Sequence, residues 1–366
     1  TAVNGIATFT NLTLAGTVGE NYVLQFTSNP VLTAANSNNV NVTAGAAAKL
    51  GIQTQPVGGQ SGAALATQPV ILIQDAQGNT VTTDNATQVS VAISAGAGGA
   101  LGGTQAVTAV NGIATFTNLT LAGTVGENYV LQFTSNPVLT AANSNNVNVT
   151  AGAATKLGIQ TQPVGGQSGA VLATQPVILI QDAQGNTVTT DNATQVSVAI
   201  SSGAGGALGG TQAVTAVNGI ATFTNLTLAG TVGENYVLQF TSNPVLTAAN
   251  SNNVTVTAGA ATQLAIQTQP VGGQSGNALN PQPVILIQDA QGNTVTTDNT
   301  TEVTVTIFSG VGGSLGGTQM VTATAGVATF TNVTLTGTVG ENYVLRFSSN
   351  PVLTPVNSNN VTVTAF

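Results

Sequence analysis

Eleven carboxylates and three cations are all the charged chemistry this 366-residue chain carries, and it has no His, Cys or Trp. Without imidazole or thiol it lacks the usual general base near neutral pH and the soft metal ligands. No Ser has a His to activate it, and no carboxylate pair stands in an acid–base motif, so catalysis is not expected. Ten of the eleven carboxylates recur in a fixed order. One Glu (Glu20, Glu127, Glu234, Glu341) alternates with two Asp (Asp75 and Asp84, Asp182 and Asp191, Asp289 and Asp298). Such oxygens suit a hard cation, and Ca²⁺ takes about six to eight of them. If the chain is a string of β-sandwiches, Glu20 of one faces Asp75 and Asp84 of the next. Glu127 then faces Asp182 and Asp191, and Glu234 faces Asp289 and Asp298, which makes an interdomain calcium site a candidate. Against it, no dense Asp-x-Asp-x-Asp-Gly pattern is present. The alternative is that Asp75 caps the Ala-Gln-Gly-Asn turn, Asp84 caps a loop, and the Glu pairs with Lys49 or Lys156 or stays solvated.

The remaining chemistry is sparse. The Gly-rich stretch 96–103 has no Lys-Ser/Thr after it, so it reads as a flexible loop rather than a phosphate cradle. Asn-x-Ser/Thr triplets at Asn11, Asn41, Asn85, Asn118, Asn225 and Asn332 are what a chain rich in Asn and Thr produces by chance, or sites of surface glycosylation. With a net charge of −8 and with Lys49, Lys156 and Arg346 far apart in sequence, nucleic acid and anionic membranes are not expected partners. No apolar run approaches the roughly 20 residues of a spanning helix, so this segment is not expected to insert in a membrane. The sequence starts at Thr1 without a signal peptide, and any export signal or anchor is expected outside it. The lack of Cys fits either redox compartment.

The elements that must position these residues come from repetition. Thr-Ala-Val-Asn-Gly-Ile-Ala-Thr-Phe-Thr begins at Thr1, Thr108 and Thr215 and returns altered at Thr322, a spacing of 107 residues. Residues 44–150 and 151–257 differ at four positions: Ala48/Thr155, Ala64/Val171, Ala95/Ser202 and Asn148/Thr255. Residues 258–364 differ from their predecessor at 23 positions, so 258–366 is a divergent, terminal-type repeat. Residues 1–43 match 108–150 without a mismatch and form a partial repeat holding only the C-terminal strands. A half-repeat cannot close its own core, so either the segment was cut from a longer array or another chain supplies the missing strands.

Within 44–150 the apolar pattern has the period of strands. Strands are predicted at 49–55, 68–75, 88–93, 104–110, 113–121, 129–134 and 145–150, with Asn111-Gly112 as a two-residue hairpin turn. Val70, Ile71, Leu72 and Ile73 break the alternation and imply a strand covered on both faces. Seven short strands in about 100 residues indicate an all-β fold, a tandem array of immunoglobulin-like seven-stranded β-sandwich domains. Tyr22, Tyr129, Tyr236 and Tyr343 fall once per repeat at the start of the sixth strand, the place of a tyrosine corner.

Gln-Pro-Val-Ile-Leu-Ile-Gln-Asp-Ala-Gln-Gly-Asn at 68–79, followed by Asn-Gly-Ile-Ala-Thr-Phe-Thr-Asn-Leu-Thr-Leu at 111–121, resembles the bacterial Ig-like repeats of large surface adhesins and invasin- or intimin-type proteins. The resemblance covers the whole chain and implies an extracellular, cell-surface protein. It also brings to mind the Lys–Asn isopeptide bonds of some Gram-positive pilus domains, here between Lys49 or Lys156 and an Asn of the last strand; Gln263 stands at that position in the third full repeat. Two functions follow as expectations. One is a non-enzymatic structural filament or stalk whose partner is itself, head to tail or laterally. The other is an adhesin that binds a glycan or a host surface protein. Phe308, Met320 and Phe366 replace Ser201, Ala213 and Gly259 of the preceding repeat. They either mark a contact patch or repack a diverged core.

Overall fold

The computed structural model describes residues 1–365, so the expectation placed on Phe366 lies outside the described residues. Among the described residues every regular element is a β-strand. The chain divides into two compact units, residues 1–155 with 181–188, and residues 156–180 with 189–366.

In the first unit, residues 44–150 make a two-layer sandwich. One sheet has Val70–Gln74 at its centre, flanked antiparallel by Lys49–Thr54 and Ile113–Thr115, with Ile71 opposite both Ile52 and Ala114. The other runs in the order Ala106–Thr108, Gln88–Ala95, Val130–Asn136, Ala142–Asn143, with Val91 opposite Phe133. Strand alternation sends Ile71 and Ile73 from the first sheet, and Val89, Leu131 and Phe133 from the second, into one core where all five are fully buried. The Phe116 and Phe133 rings meet there at 5.8 Å in a tilted pair. The apolar run 70–73 is covered unequally: Ile71 and Ile73 face the core, while Val70 and Leu72 are half-buried on the outer side.

The seven expected strands appear as nine, most of them shorter than expected. The predicted strand 113–121 is broken into Ile113–Thr115 and Thr120–Ala122. Between them the Gln68 side-chain amide takes the place of a neighbouring strand, donating to the Leu119 carbonyl at 2.9 Å and accepting from its N–H at 2.9 Å. The chain then pairs with Ala100–Gly102 instead of Val70–Gln74. The last strand, predicted at 145–150, forms its regular ladder earlier, at Ala142–Asn143. There the Ser144 hydroxyl accepts the Leu131 N–H at 2.9 Å, displacing the backbone acceptor, and pairing resumes only at Tyr129 and Val147. The hairpin expectation holds in detail. Asn111 and Gly112 both have positive φ, 51° and 76°, and Val110 and Ile113 exchange backbone bonds.

The second unit contains the third full repeat, which follows the same plan. Gln263–Thr268, Val284–Gln288 and Val327–Thr329 form one sheet. Met320–Thr322, Glu302–Ser309, Asn342–Asn350 and Val356–Thr362 form the other. Its final strand is seven residues long where the first repeat has two. Ala325 occupies the hairpin position of Asn218 at φ 50°, a conformation that Ala adopts at a cost of about 1 kcal/mol. The middle repeat places Gln195–Ser202, Ala213–Thr215, Val237–Asn243 and Ala249–Asn250 in a sheet of the same order.

Residues 1–43 show what the missing half supplies. Phe9 and Leu12 are 63% and 60% exposed, whereas the matching Phe116 and Leu119 are 1% and 0% exposed. The same amino acids form the Val3–Ile6 hairpin bridge and the two-residue pairings Asn21–Tyr22 with Val40–Asn41 and Gln25–Phe26 with Ala35–Asn36. Burial of each such side chain contributes roughly 1.5–3 kcal/mol, and the partial repeat forgoes it. Two identical sequence contexts therefore give a controlled comparison. Phe116→Ala is expected to cost about 3–5 kcal/mol by cavity formation, and Phe9→Ala less than about 1 kcal/mol. Urea denaturation of the two variants measures both; equal losses would show that Phe9 is packed in solution.

Candidate functional site

The polar residues converge at the turn Asp-Ala-Gln-Gly-Asn that follows the central strand of each repeat. At 182–186, Asp182 Oδ1 accepts the N–H groups of Gln184 and Asn186 at 3.0 and 2.8 Å. Its Oδ2 accepts Asn186 Nδ2 and the Gly152 N–H, both at 2.8 Å. Gly152 lies in the linker that leads out of the preceding repeat, so one carboxylate closes its own turn and holds the linker. Asn186 then reaches the preceding repeat: its Nδ2 donates to the Gly123 carbonyl and its Oδ1 accepts the Val125 N–H, both at 2.8 Å. Ser61 completes the arrangement. Its Oγ accepts the Gly123 N–H at 2.9 Å, donates to the Gly123 carbonyl at 2.8 Å and lies 3.1 Å from Gln184 Oε1.

The receiving loop is itself held from the core. The Tyr129 hydroxyl accepts the Thr124 N–H at 2.8 Å and donates to the Ala97 carbonyl at 3.0 Å, which makes it a tyrosine corner. Gly123 lies against that ring, where a Cβ would stand 2.7 Å from Tyr129 atoms. A Cβ on Gly152 would stand 2.5 Å from the Ser61 carbonyl oxygen, so the linker also needs its glycine. A continuous path of bonds thus runs from the core tyrosine of one repeat to the turn of the next.

In the second unit the same path recurs. Asp289 binds Gln291 N–H, Asn293 N–H, Asn293 Nδ2 and the Gly259 N–H at 2.7–2.9 Å. Asn293 binds the Gly230 carbonyl and the Val232 N–H at 2.8 Å, and Ser168 Oγ lies 3.0 Å from Gln291 Oε1. At the partial repeat the path is thinner. Asn79 bonds the Gly16 carbonyl and the Val18 N–H at 3.0 Å, and Asp75 holds the Gly45 N–H. The first 43 residues contain no counterpart of Ser61.

The acidic residues are not gathered around a cation position. Glu20 is exposed and Glu127 and Glu234 are half-exposed. Asp84 Oδ1 accepts the Ala86 and Thr87 N–H groups and Oδ2 the Thr87 hydroxyl at 2.7 Å; Asp191 and Asp298 do the same with Thr194 and Thr301. Among the described residues no three carboxylates come together as a potential metal site. The reason is local: both oxygens of each Asp are turned onto backbone N–H groups and onto the Asn amide or Thr hydroxyl of the same turn, the arrangement of the capping alternative. Lys49 Nζ donates to the Ala76 carbonyl at 3.3 Å, over the turn and not toward an Asn of 145–150.

Sequence reasoning missed Asn79, Asn186 and Asn293, together with Ser61, Ser168, Gly152 and Gly259. The signal was present: Asp-Ala-Gln-Gly-Asn and the Ser and Gly positions persist in the third full repeat while 23 other positions change. Of the proposed patch, Phe308 and Met320 are 55% and 54% exposed. The Arg346 guanidinium lies 5.4 Å from the Phe308 ring centroid.

No family model matches the chain, and no curated protein matches it. Among solved structures, it is similar to the Escherichia coli adhesin FdeC at 20% identity and a TM-score of 0.32, with 87% of this chain and 99% of that one covered. Invasin, a bacterial integrin-binding protein, aligns at 13% identity and a TM-score of 0.28, covering 85% and 59%. The S-layer protein SbsC aligns at 14% and 0.27, covering 95% and 45%.

The carboxylates set the acid limit of the junctions. Hydrogen bonding by the Asn79 side chain, helped by the Gly45, Asn79 and Gln77 N–H groups, outweighs burial and lowers Asp75 to about 2. At Asp182 and Asp289 burial pushes the carboxyl up, but bonds from Asn186 or Asn293, from Gly152 or Gly259 and from the turn N–H groups outweigh it and leave both below the ordinary value. A lowered folded-state value means that stability is fully present above the ordinary carboxylate range and is lost as pH falls through the lowered one. Hydrogen exchange at the Gly152 N–H is therefore expected to stay slow from neutral pH down to about 4 and to lose protection only below it, toward Asp protonation. In Asp182→Asn an amide replaces one acceptor where two donors meet Oδ2, and protection is expected to fall at neutral pH by the equivalent of about 1–3 kcal/mol. Unchanged protection in Asp182→Asn would refute the assignment of that carboxylate as the linker clamp.

Proposed function

We propose that the chain is a length of non-enzymatic structural protein, an extracellular array of Ig-like repeats that forms a stalk or filament at a bacterial cell surface and associates with itself. The observation that carries this reading is the repetition of one junction: Asp182–Gly152 with Asn186–Gly123/Val125, and Asp289–Gly259 with Asn293–Gly230/Val232. A linker clamped by a buried carboxylate and a side chain bonded to two backbone groups of the preceding repeat resist hinge motion, which is the property a spacer needs. The composition supports the same reading. Residues without His or Cys and with few ionisable groups offer little to catalysis, and a Thr- and Asn-rich surface responds weakly to salt. The three trypsin sites, Lys49, Lys156 and Arg346, all lie in strands.

A second reading, an adhesin whose third full repeat binds a glycan or a host protein, is favoured by one observation, the exposure of Phe308 and Met320 on a surface where the earlier repeats carry Ser or Ala. The two readings place function differently, in the junctions or in one outer face.

Small-angle X-ray scattering of the full chain tests the spacer reading. Asn186→Ala with Asn293→Ala removes the Asn bridges between the full repeats and is expected to lower the radius of gyration by allowing those repeats to hinge, with the circular dichroism of the sandwiches unchanged. An identical scattering curve would refute a stiffening role for the junctions. Trypsin is expected to leave the folded chain intact under conditions that digest its urea-unfolded form at all three sites.

A further inference from the structure

The 23 changes of the third full repeat are not scattered. Seven of them share the outward face of one sheet, the one built on Glu302–Ser309: Glu302, Thr304, Thr306, Phe308, Met320, Arg346 and the conservative Ser348, which takes the place of Thr241. Val303 and Val305 point inward and are fully buried, so Glu302, Thr304, Thr306 and Phe308 alternate outward. Met320 stands in register with Thr304, and Arg346 with Thr306. At the matching positions the middle repeat has Gln195, Ser197, Ala199, Ser201, Ala213 and Gln239, with no charge and no large apolar group. The divergence has therefore written one cation, one anion and two exposed apolar side chains onto a face that is otherwise small and polar.

The charges identify the occupant. The chain has only three cations and a net charge of −8. A purely acidic partner attracted to Arg346 would be repelled by Glu302, and a basic one attracted to Glu302 would be repelled by Arg346. Glu302 and the Thr306–Arg346 row lie four residues apart along the strand, about 13 Å. A two-fold axis lying in the plane of this face and crossing the strand at the Thr304–Met320 row exchanges those two rows. The face is thus complementary to itself.

The geometry points to this face as a homotypic docking surface, on which a second copy of the chain lays the same strand antiparallel. Arg346 of each copy meets Glu302 of the other across a centre made of Met320 and the threonine methyls, with Phe308 at the two ends. The Phe308 ring under the Arg346 guanidinium fixes that side chain in place before pairing, so less of its freedom is lost on binding. The inference rests on the self-association proposed above and specifies its surface: a lateral pairing of two arrays through one repeat of each, not a contact repeated along the array.

Sedimentation equilibrium of the full chain is the test. The wild type is expected to form a concentration-dependent dimer. The variant F308S/M320A/R346Q, which installs the residues of the middle repeat and so keeps a surface already compatible with this fold, is expected to remain monomeric. Arg346→Glu alone should weaken the dimer at least about tenfold, and Arg346→Glu with Glu302→Arg should restore it to within about threefold. Three outcomes overturn the proposal: a wild type that stays monomeric, association that survives in the triple variant, or charge exchange that fails to rescue. A monomeric wild type that binds a glycan array and loses that binding in Phe308→Ser would transfer the face to the adhesin reading. The scattering test of the junctions is unaffected by any of these results, so failure of the docking face is distinguishable from failure of the spacer reading.

Discussion

A buried carboxylate that must find four N–H donors governs this protein. Asp182 obtains them from three places at once: two from its own turn, one from the Asn186 side chain and one from the linker at Gly152. If any of these moves away, a charged oxygen is left in a poorly solvated place, at a cost of the order of several kcal/mol for the ion or a shift toward its neutral form. Satisfying Asp182 therefore fixes the turn, orients Asn186 toward Gly123 and Val125, and anchors the linker. The division of the chain reflects this: residues 181–188 belong to the same compact unit as the repeat before them.

That requirement reaches backward into the core. Asn186 needs a loop that presents a carbonyl and an N–H at fixed spacing, and the tyrosine corner provides it through Tyr129 and Thr124. The fully buried Tyr129 ring needs Gly96, Gly99 and Gly123 close to it, where any side chain would collide. Packing within a repeat and bonding between repeats are thus parts of one arrangement. The partial repeat illustrates the dependence. Its Tyr22 hydroxyl still accepts the Thr17 N–H and Asn79 still bonds Gly16 and Val18, but Phe9 and Leu12 lie open, so the loop is held without a closed core behind it.

Much of this was legible in the sequence because it depends on short-range rules. The alternation that buries Val89, Leu131 and Phe133 and the Asn111-Gly112 hairpin follow from residues within a few positions of one another, and the tyrosine corner from the place of one Tyr in each 107-residue repeat. The rest depends on side chains that imitate backbone. Gln68 completes the pairing of Leu119 from 51 residues away, and Ser144 takes the Leu131 N–H; both shorten strands that the apolar pattern alone would continue. The acidic residues were hard to place for a related reason. Sequence order groups Glu20, Asp75 and Asp84, but hydrogen bonding separates them: Asp75 serves the turn and linker, while Asp84 serves the start of the next strand. Asn79 and its equivalents drew no attention because an amide has no charge to announce it, although it makes the connection between repeats.

The divergence of the third full repeat separates two kinds of surface. Positions bound by the junction, such as Gly259, Asp289, Gln291 and Asn293, keep their identity because each answers to several partners at once and none can change alone. Positions on the outward face of the Glu302–Ser309 sheet answer to no such constraint, since their strand pairing is made by backbone and their burial by the alternate residues Val303 and Val305. They are free to acquire charge and bulk without loss of fold, and they have done so together: Thr306 beside Arg346, Arg346 over Phe308, Met320 opposite Thr304. A protein built from near-identical repeats can specialise in this way only on faces that its junctions do not use. The same logic explains why the earlier repeats keep Ser, Ala and Gln there. A large apolar group or an unbalanced charge on every copy would expose a sticky surface on each repeat.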